Sequence, residues 1–472
     1  MRTGLVWFKD DLRIHDNEAL TRAVEQCEQL VFLFYVEPHL FKNLKLGFRK
    51  SDINRFKFLE QSVNALKERL ENNGGHLIVS DKSAVEIIPR LIQEYAISSV
   101  YGETEYASEE LNLVKQVQDQ LPDVEFNFYW GKTLYHIDDI PFTIDKIPLT
   151  SKAYRIPAAK ESDPRTTFET PKEFKNHPNA VSTEFPTFTK YGFTEEEYNA
   201  AQPYLKGGEE KALERLQYYT FESENLTGYR WSRNKSLGMD YSSKFSPYLA
   251  LGCISARTIY ETVKKYETEI KKNQSTWWLV FELVWRDYFT FKGMKFGNKI
   301  FHTKGFKNKD VAFENDLEKF QRWQDGKTGI PFIDAHMRQL NETGYMSNRG
   351  RVNCGSYFVH DLKIDWTWGA AYFESNLIDY DVSANWLNWH VQAFEIYYTN
   401  PVNQGLKYKA NEYIAKWIPE LRHIDDNKIL APWIFKEELK DLDYPVPIEV
   451  FSKWTRAMNL IKKSVSIQGK LF

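Results

Sequence analysis

Short apolar runs and longer amphipathic stretches alternate through the first third of the chain. The runs 4–8, 30–36, 76–79, 98–101 and 125–129 read as buried strands. Between them, 17–26, 53–72, 83–95 and 108–120 read as helices; in the second, Phe56, Leu59, Val63, Leu66 and Leu70 recur at steps of three and four, forming one apolar stripe. This alternation predicts an α/β domain over residues 1–129, a doubly wound parallel sheet with helices on both faces. Such sheets bind ligands beyond the carboxyl ends of their strands. No Gly-x-Gly-x-x-Gly follows a strand and no Gly-x-x-x-x-Gly-Lys-Ser/Thr occurs, so neither standard nucleotide cradle is present.

Residues 130–200 break the pattern. Seven prolines (141, 148, 157, 164, 171, 178 and 186) and weak periodicity predict an interdomain linker draped over a domain surface. From 201 to 472 the helical period dominates, predicting a large all-helical domain. Its helices are expected at 208–221, 255–273, 276–291, 317–324, 330–343, 351–362, 369–378 and 411–417. Gly344 falls just past one of them, where a left-handed residue is wanted.

Composition sharpens this division. A chain of 472 residues exceeds the ~250–300 at which single cores stop growing, so two or more domains are expected. Residues 1–128 carry 15 Lys and Arg against 21 Asp and Glu, whereas the whole chain is only −3. Aromatic residues make up 15% of the chain, and of the 14 Trp only Trp7 and Trp130 precede residue 200. The longest apolar run, 31–36, is far short of a membrane span, and no basic-then-apolar leader precedes it. Cys27, Cys253 and Cys354 are too few and too scattered for a disulfide framework or a cysteine metal site. A cytoplasmic, reducing location and no membrane association are the expectations.

Four clusters could carry chemistry. The first, Asp240 to Ser255, brings Ser242, Ser243 and Ser246 beside Lys244 and reads either as an anion cradle or as helix capping. In the second, Glu282 and Arg286 lie four apart on one helical face with Trp285 beside them, either as a structural ion pair or as groups aimed at a ligand. The third joins Asn348-Arg-Gly-Arg351 to Asp379-Tyr-Asp381 and Asn385-Trp386-Leu-Asn-Trp389. No histidine or carboxylate recurs there at a metal-binding step, so no metal is expected, and Arg351 with Asp379 reads as a bidentate pair able to orient a polar heterocycle. The fourth, 288–309, interleaves six lysines with five phenylalanines and no acid, as either a single-strand nucleic-acid platform or a solvated face. No Ser-His-Asp or Cys-His arrangement stands out.

Taken in order, these clusters resemble the photolyase/cryptochrome flavoproteins. The similarity runs from Leu5-Val-Trp-Phe-Lys-Asp-Asp-Leu-Arg13 through Phe281-Glu-Leu-Val-Trp-Arg286, Gly326-Lys-Thr-Gly-Ile-Pro-Phe-Ile-Asp334 and Thr343-Gly-Tyr-Met-Ser-Asn-Arg-Gly-Arg351 to Trp417-Ile-Pro-Glu-Leu421. Tyr241-Ser-Ser-Lys-Phe-Ser-Pro-Tyr-Leu-Ala-Leu-Gly252 is most similar to the DASH-type branch. The resemblance implies that the helical domain binds FAD. It places Tyr229, Ser242, Ser243, Lys244, Phe245 and Ser246 at the FAD phosphates and ribose. Arg286, Arg351, Asp379, Asp381 and Asn385 fall around the isoalloxazine ring, with Asn385 at flavin N5, where plant cryptochromes carry Asp and animal ones Cys.

The same resemblance places Arg233, Glu282, Trp285, Asn348, Arg349 and Gln404 at a flipped-out pyrimidine dimer. Photolyases are a standard example of base flipping. Reduced FAD would pass an electron to the dimer on illumination, with Glu282 on the pyrimidine edges and Trp285 stacked on the lesion. Trp389 and Trp366 match the inner two members of the family's electron-transfer chain. The implied activity is that of a deoxyribodipyrimidine photo-lyase acting on dimer-containing, single-stranded DNA as a monomer. The alternative is a blue-light photoreceptor of cryptochrome type with little or no repair. An antenna of 5,10-methenyltetrahydrofolate is also implied, with Glu109 as its ligand, although acids at 109 and 110 equally suit a helix start.

Three positions depart from the family pattern. Phe313 replaces the outermost tryptophan of the electron chain, Val391 replaces a second aromatic against the dimer, and the Gly-x-Gly-x-Asp-Pro-Arg stretch of DASH members is absent from 395–404. The chain ends soon after the family core, so no long signalling tail is expected.

Overall fold

The computed structural model describes residues 2–395, 398–424 and 426–468. The five expected strands form within two residues of their predicted limits: β1 (Thr3–Trp7), β2 (Gln29–Tyr35), β3 (Leu77–Ser80), β4 (Ser99–Glu103) and β5 (Glu125–Tyr129). They pair in parallel in the order β3-β2-β1-β4-β5. The chain thus leaves β1 in both directions, which puts the topological switch point between β1 and β4. Leu5, Trp7, Val31, Leu33 and Val100 form the core under the sheet, together with Ile88 and Leu91 of a crossover helix.

Local chemistry starts the helices between the strands. Asn17 accepts the Leu20 amide ahead of Glu18–Gln26, and Asp52 accepts that of Ile53 ahead of Ile53–Glu71. Ala84–Glu94 and Ser108–Gln120 complete the alternation. From residue 195 onward every element among the described residues is helical.

By their internal contacts the residues group into two compact units. One comprises 1–231, 243–300 and 378–384; the other comprises 232–242, 301–377 and 385 onward. Buried polar groups explain why helices after residue 209 belong with the sheet. Arg257 grips Asp16 through two bonds of 2.7 and 3.0 Å, and Asp287 accepts the amides of Leu134 and Tyr135 at 2.9 Å each. Burial raises the Asp287 carboxyl to about 7.

The expected linker, 130–200, carries more structure than its prolines suggested. It contains a helix at Ser151–Glu161 and a shorter one at Glu195–Ala200, started by a reciprocal Thr194–Glu197 cap. The first was hidden because it buries only Tyr154 and Ala158, and Pro157 lies inside it. Tertiary packing holds it: the Tyr154 ring lies 5.5 Å from that of Tyr288. Helix Val382–Phe394, also unexpected, is so apolar that no amphipathic stripe marks it. Gly344 is left-handed at the end of Pro331–Thr343, as the pattern required.

Candidate functional site

In the sheet-bearing unit, Lys244 stands at φ 63° and Phe245 follows at φ −79° and ψ −16°. Successive residues of opposite hand turn backbone N–H groups toward one side, the conformation of anion-binding loops. A non-glycine residue held there costs of order 1–3 kcal/mol and persists when its surroundings demand it. Lys244 and Phe245 are buried, with Tyr229 buried nearby behind Tyr219. Arg215 donates to the Ser243 carbonyl at 3.0 Å. Capping by Ser242 or Ser246 is not what starts the next helix. The short helix Ser246–Ala250 has no side-chain cap, and the capping serine is Ser255, which accepts the Thr258 amide.

Helix Gln274–Phe296 carries the second cluster. Arg286 donates to the Lys132 carbonyl and to that of Leu249 at 3.3 Å, and lies 3.7 Å from Asp381. Asp381 also accepts the Ala384 amide at 2.8 Å, starting helix Val382–Phe394. Asp379 is buried beside it in sequence. Glu282 accepts the Trp278 indole N–H at 2.9 Å. One turn on, the Trp285 ring packs against Phe281 at 5.8 Å and Phe289 at 6.0 Å.

A cavity of about 150 Å³ opens at the carboxyl ends of β1, β2 and β4, within the same unit. Trp7, Asp10, His39, Glu105 and Glu109 help to line it. Glu109 reaches His39 at 3.5 Å and also Lys50. Hydrogen bonding to His39 lowers the Glu109 carboxyl to about 2, and its bonds to Glu109 and Glu37 raise His39 to about 9. Loss of water around its carboxyl pushes Asp10 up to about 7, and Lys132 binds Glu103 and Glu105 at 2.9 and 3.3 Å. Asp10 and Glu105 lie within stretches that carry the resemblance but were not singled out as site residues. Their position after strand ends was the available signal.

The other unit holds the remaining candidates. Asn385 donates to the Ala370 carbonyl at 3.0 Å, which orients its amide. Trp389 is 2% exposed, yet its indole N–H has no partner among the described residues. Its ring is enclosed by Phe373, Phe358 and Trp323 at 5.0, 5.5 and 6.2 Å. Trp366 donates to the Thr303 carbonyl at 2.8 Å and packs on Trp386. Ser347 caps helix Asn348–His360, leaving Asn348 exposed on its first turn. Arg349 bonds Asn234 at 3.0 Å and lies over the Tyr408 ring, while Arg351 donates to the Met346 carbonyl at 2.9 Å. The Nε of Arg349 and the Oε1 of Gln404 are buried without hydrogen-bond partners among the described residues. Arg233 stands with Asn234 in the 232–242 segment, as does Ser242. Residues 396 and 397, within the departing 395–404 stretch, lie outside the described residues.

Comparison with known proteins decides what these parts belong to. Residues 4–172 match the DNA photolyase model, and 278–462 match that of the FAD binding domain of DNA photolyase. The cryptochrome DASH of Synechocystis sp. is 39% identical over 98% of both chains. The chain belongs to the photolyase/cryptochrome family. A second relative, cryptochrome DASH of Danio rerio, is 38% identical over 97% of this chain and 92% of its own. The solved Synechocystis cryptochrome superposes with a TM-score of 0.90 at 37% identity, covering 98% of this chain and 99% of that one. A class III photolyase from Agrobacterium tumefaciens shares the fold at TM-score 0.82 and 24% identity, each chain 98% covered. This photolyase/cryptochrome member therefore has the FAD-dependent, blue-light function of its family, whose members act on DNA. The left-handed turn at Lys244 is of the kind that holds an anion and fits the phosphates of a flavin nucleotide. Among the described residues no helix is long and apolar enough to cross a membrane.

Proposed function

We propose that this protein is a light-driven lyase for cyclobutane pyrimidine dimers in single-stranded DNA, working as a monomer. The observation that carries the reading is the pairing of a carboxylate and a stacking ring on one helix: Glu282, held by the Trp278 indole at 2.9 Å, one turn before Trp285. A carboxyl group reads pyrimidine edges while an indole covers the ring face. Tyr229 and the 242–246 turn would hold the FAD phosphates and ribose. Arg286, Arg351, Asp379, Asp381 and Asn385 would surround the ring.

FAD supplies light absorption and the electron that opens the cyclobutane; the chain supplies orientation and electrostatics. Asn385, fixed by the Ala370 carbonyl, presents one defined amide orientation. A hydrogen-bond donor at the pyrimidine edges stabilises the negative charge that develops there, and Glu282 would supply one when protonated. Arg233, Asn348, Arg349 and Gln404 would bind the lesion and its backbone, and the buried unpaired atoms of Arg349 and Gln404 support such a polar partner.

The folate antenna belongs to the same proposal, its support being that Glu109 lines the strand-end cavity. The burial of all three cysteines as free thiols supports a reducing compartment such as the cytoplasm. A second reading, a photoreceptor without repair, is favoured by Val391, partly exposed where a stacking ring is expected. Illuminating the reduced protein with a dimer-containing oligonucleotide separates the two. Loss of dimers in proportion to absorbed light supports the lyase. Unchanged dimers, with normal FAD content, overturn it in favour of the photoreceptor.

A further inference from the structure

The two most exposed tryptophans of the sheet-bearing unit, Trp231 at 74% and Trp277 at 54%, stand at one aromatic surface. The Trp277 ring lies 5.6 Å from Trp278 and 5.2 Å from Phe281, and Phe281 lies 5.8 Å from Trp285. Two guanidinium groups are threaded through these rings. Arg230 sits 4.9 Å from the Trp231 ring and 5.1 Å from that of Trp278; Arg155 sits 4.1 Å from Phe281 and 5.6 Å from Trp285. The order along the surface is therefore ring, cation, ring, ring, cation, ring.

Large apolar side chains exposed together cost solubility and mark a binding surface. Helix Gln274–Phe296 needs neither Trp231 nor Trp277 for its own core, since its buried positions are filled by Leu279, Leu283, Val284 and Phe289. Cations stacked on rings keep their outer edges available to anions, and a stack of open π-faces accepts any base. Lys271 and Lys272, both exposed, add positive charge just before the helix. A polyanion carrying flat, unpaired bases satisfies every part of this surface.

We propose that Trp231, Trp277 and Phe281, with Arg230 and Arg155, form a stacking ledge that binds undamaged single-stranded DNA flanking the lesion. The proposal rests on the reading that the substrate is single-stranded DNA, and it assigns to the flanking strand residues outside the lesion site. The ledge acts in the dark and without a dimer.

The test measures binding of the FAD-loaded protein to a fluorescent, undamaged oligothymidylate in the dark, by anisotropy. Trp231→Ala and Trp277→Ala should each weaken binding by roughly 5- to 100-fold, the range for removing one base-stacking ring. Arg230→Gln should reduce the slope of log affinity against log salt by about 0.7, as expected for one lost contact to a single strand. All three should keep the FAD absorbance of wild type. The proposal is overturned if both tryptophan variants bind the oligothymidylate like wild type, or if sedimentation shows that wild type dimerises and the tryptophan variants do not. Repair assays separate the two readings. Ledge variants that bind normally while wild type repairs dimers remove the ledge and leave the lyase. Wild type that binds through the ledge but repairs nothing removes the lyase and leaves the ledge.

Discussion

The rings of Trp389 and Trp323 meet edge to face, with centroids 6.2 Å apart and planes at 75°. Trp323 in turn lies 5.7 Å from Tyr372, whose hydroxyl donates to Asn341 at 2.8 Å. Through Phe320 the same cluster touches Trp368. Oxidisable rings thus lead away from Trp389 in a direction that does not involve Phe313. With oxidised FAD as the acceptor and an external thiol as the final donor, wild type should photoreduce under blue light. Trp323→Phe should slow this markedly and Trp389→Phe should abolish it. Fast photoreduction in Trp323→Phe, measured as bleaching of the flavin band, would show that electrons travel elsewhere. A gain with Phe313→Trp would place the family's usual exit as a second route.

Glu282→Ala should cut repair per absorbed photon by about 100- to 1000-fold, the usual effect of deleting one donor to a developing charge. FAD content should hold, because Glu282 accepts from the Trp278 indole one turn back on its own helix. Equal loss of FAD and repair would make Glu282 a structural residue.

Gly369 has no room for a side chain. A Cβ there would lie 2.3 Å from the Trp389 ring. Gly369→Ala should cost about 1–3 kcal/mol of stability, as overpacked cores do, and should displace the indole. Chemical denaturation reports the first effect and Trp389-dependent photoreduction the second.

The His39–Glu109 contact predicts a pH window. His39 is raised to about 9, so the stability it adds is complete below its unfolded value of 6.5 and is lost as pH rises through about 9. Glu109 is lowered to about 2, so its share is complete above 4.5 and is lost as pH falls through about 2. His39→Gln should therefore lower the melting temperature most at about pH 5–6, and the gap should close above about pH 9. A gap independent of pH would mean that packing, not charge, holds His39 against Glu37 and Glu109.

Much of this molecule is legible in its residues, for physical reasons that differ from part to part. A fully buried parallel strand is apolar along most of its length, so β1 to β4 stand out as runs, and the helices between them declare their stripes. The flavin and lesion candidates were legible by resemblance, because long motifs stay in register along the whole chain. Other features carry no local mark. Helix Ser151–Glu161 forms because Tyr154 packs on Tyr288, and helix Val382–Phe394 is too uniformly apolar to show a stripe. The Trp389–Trp323 contact joins residues 66 positions apart, and the alternation of Arg155, Arg230 and aromatic rings joins three separate segments. Sequence alone determined the α/β and helical parts and the chemistry of the motifs, since periodicity and residue type act locally. Tertiary structure decided the partners that are remote in the chain: Arg286 takes the Lys132 and Leu249 carbonyls with Asp381 beside it, and Glu109 takes the His39 ring. Such pairings depend on which distant groups packing brings within about 3–4 Å, a distance that no spacing along the chain encodes.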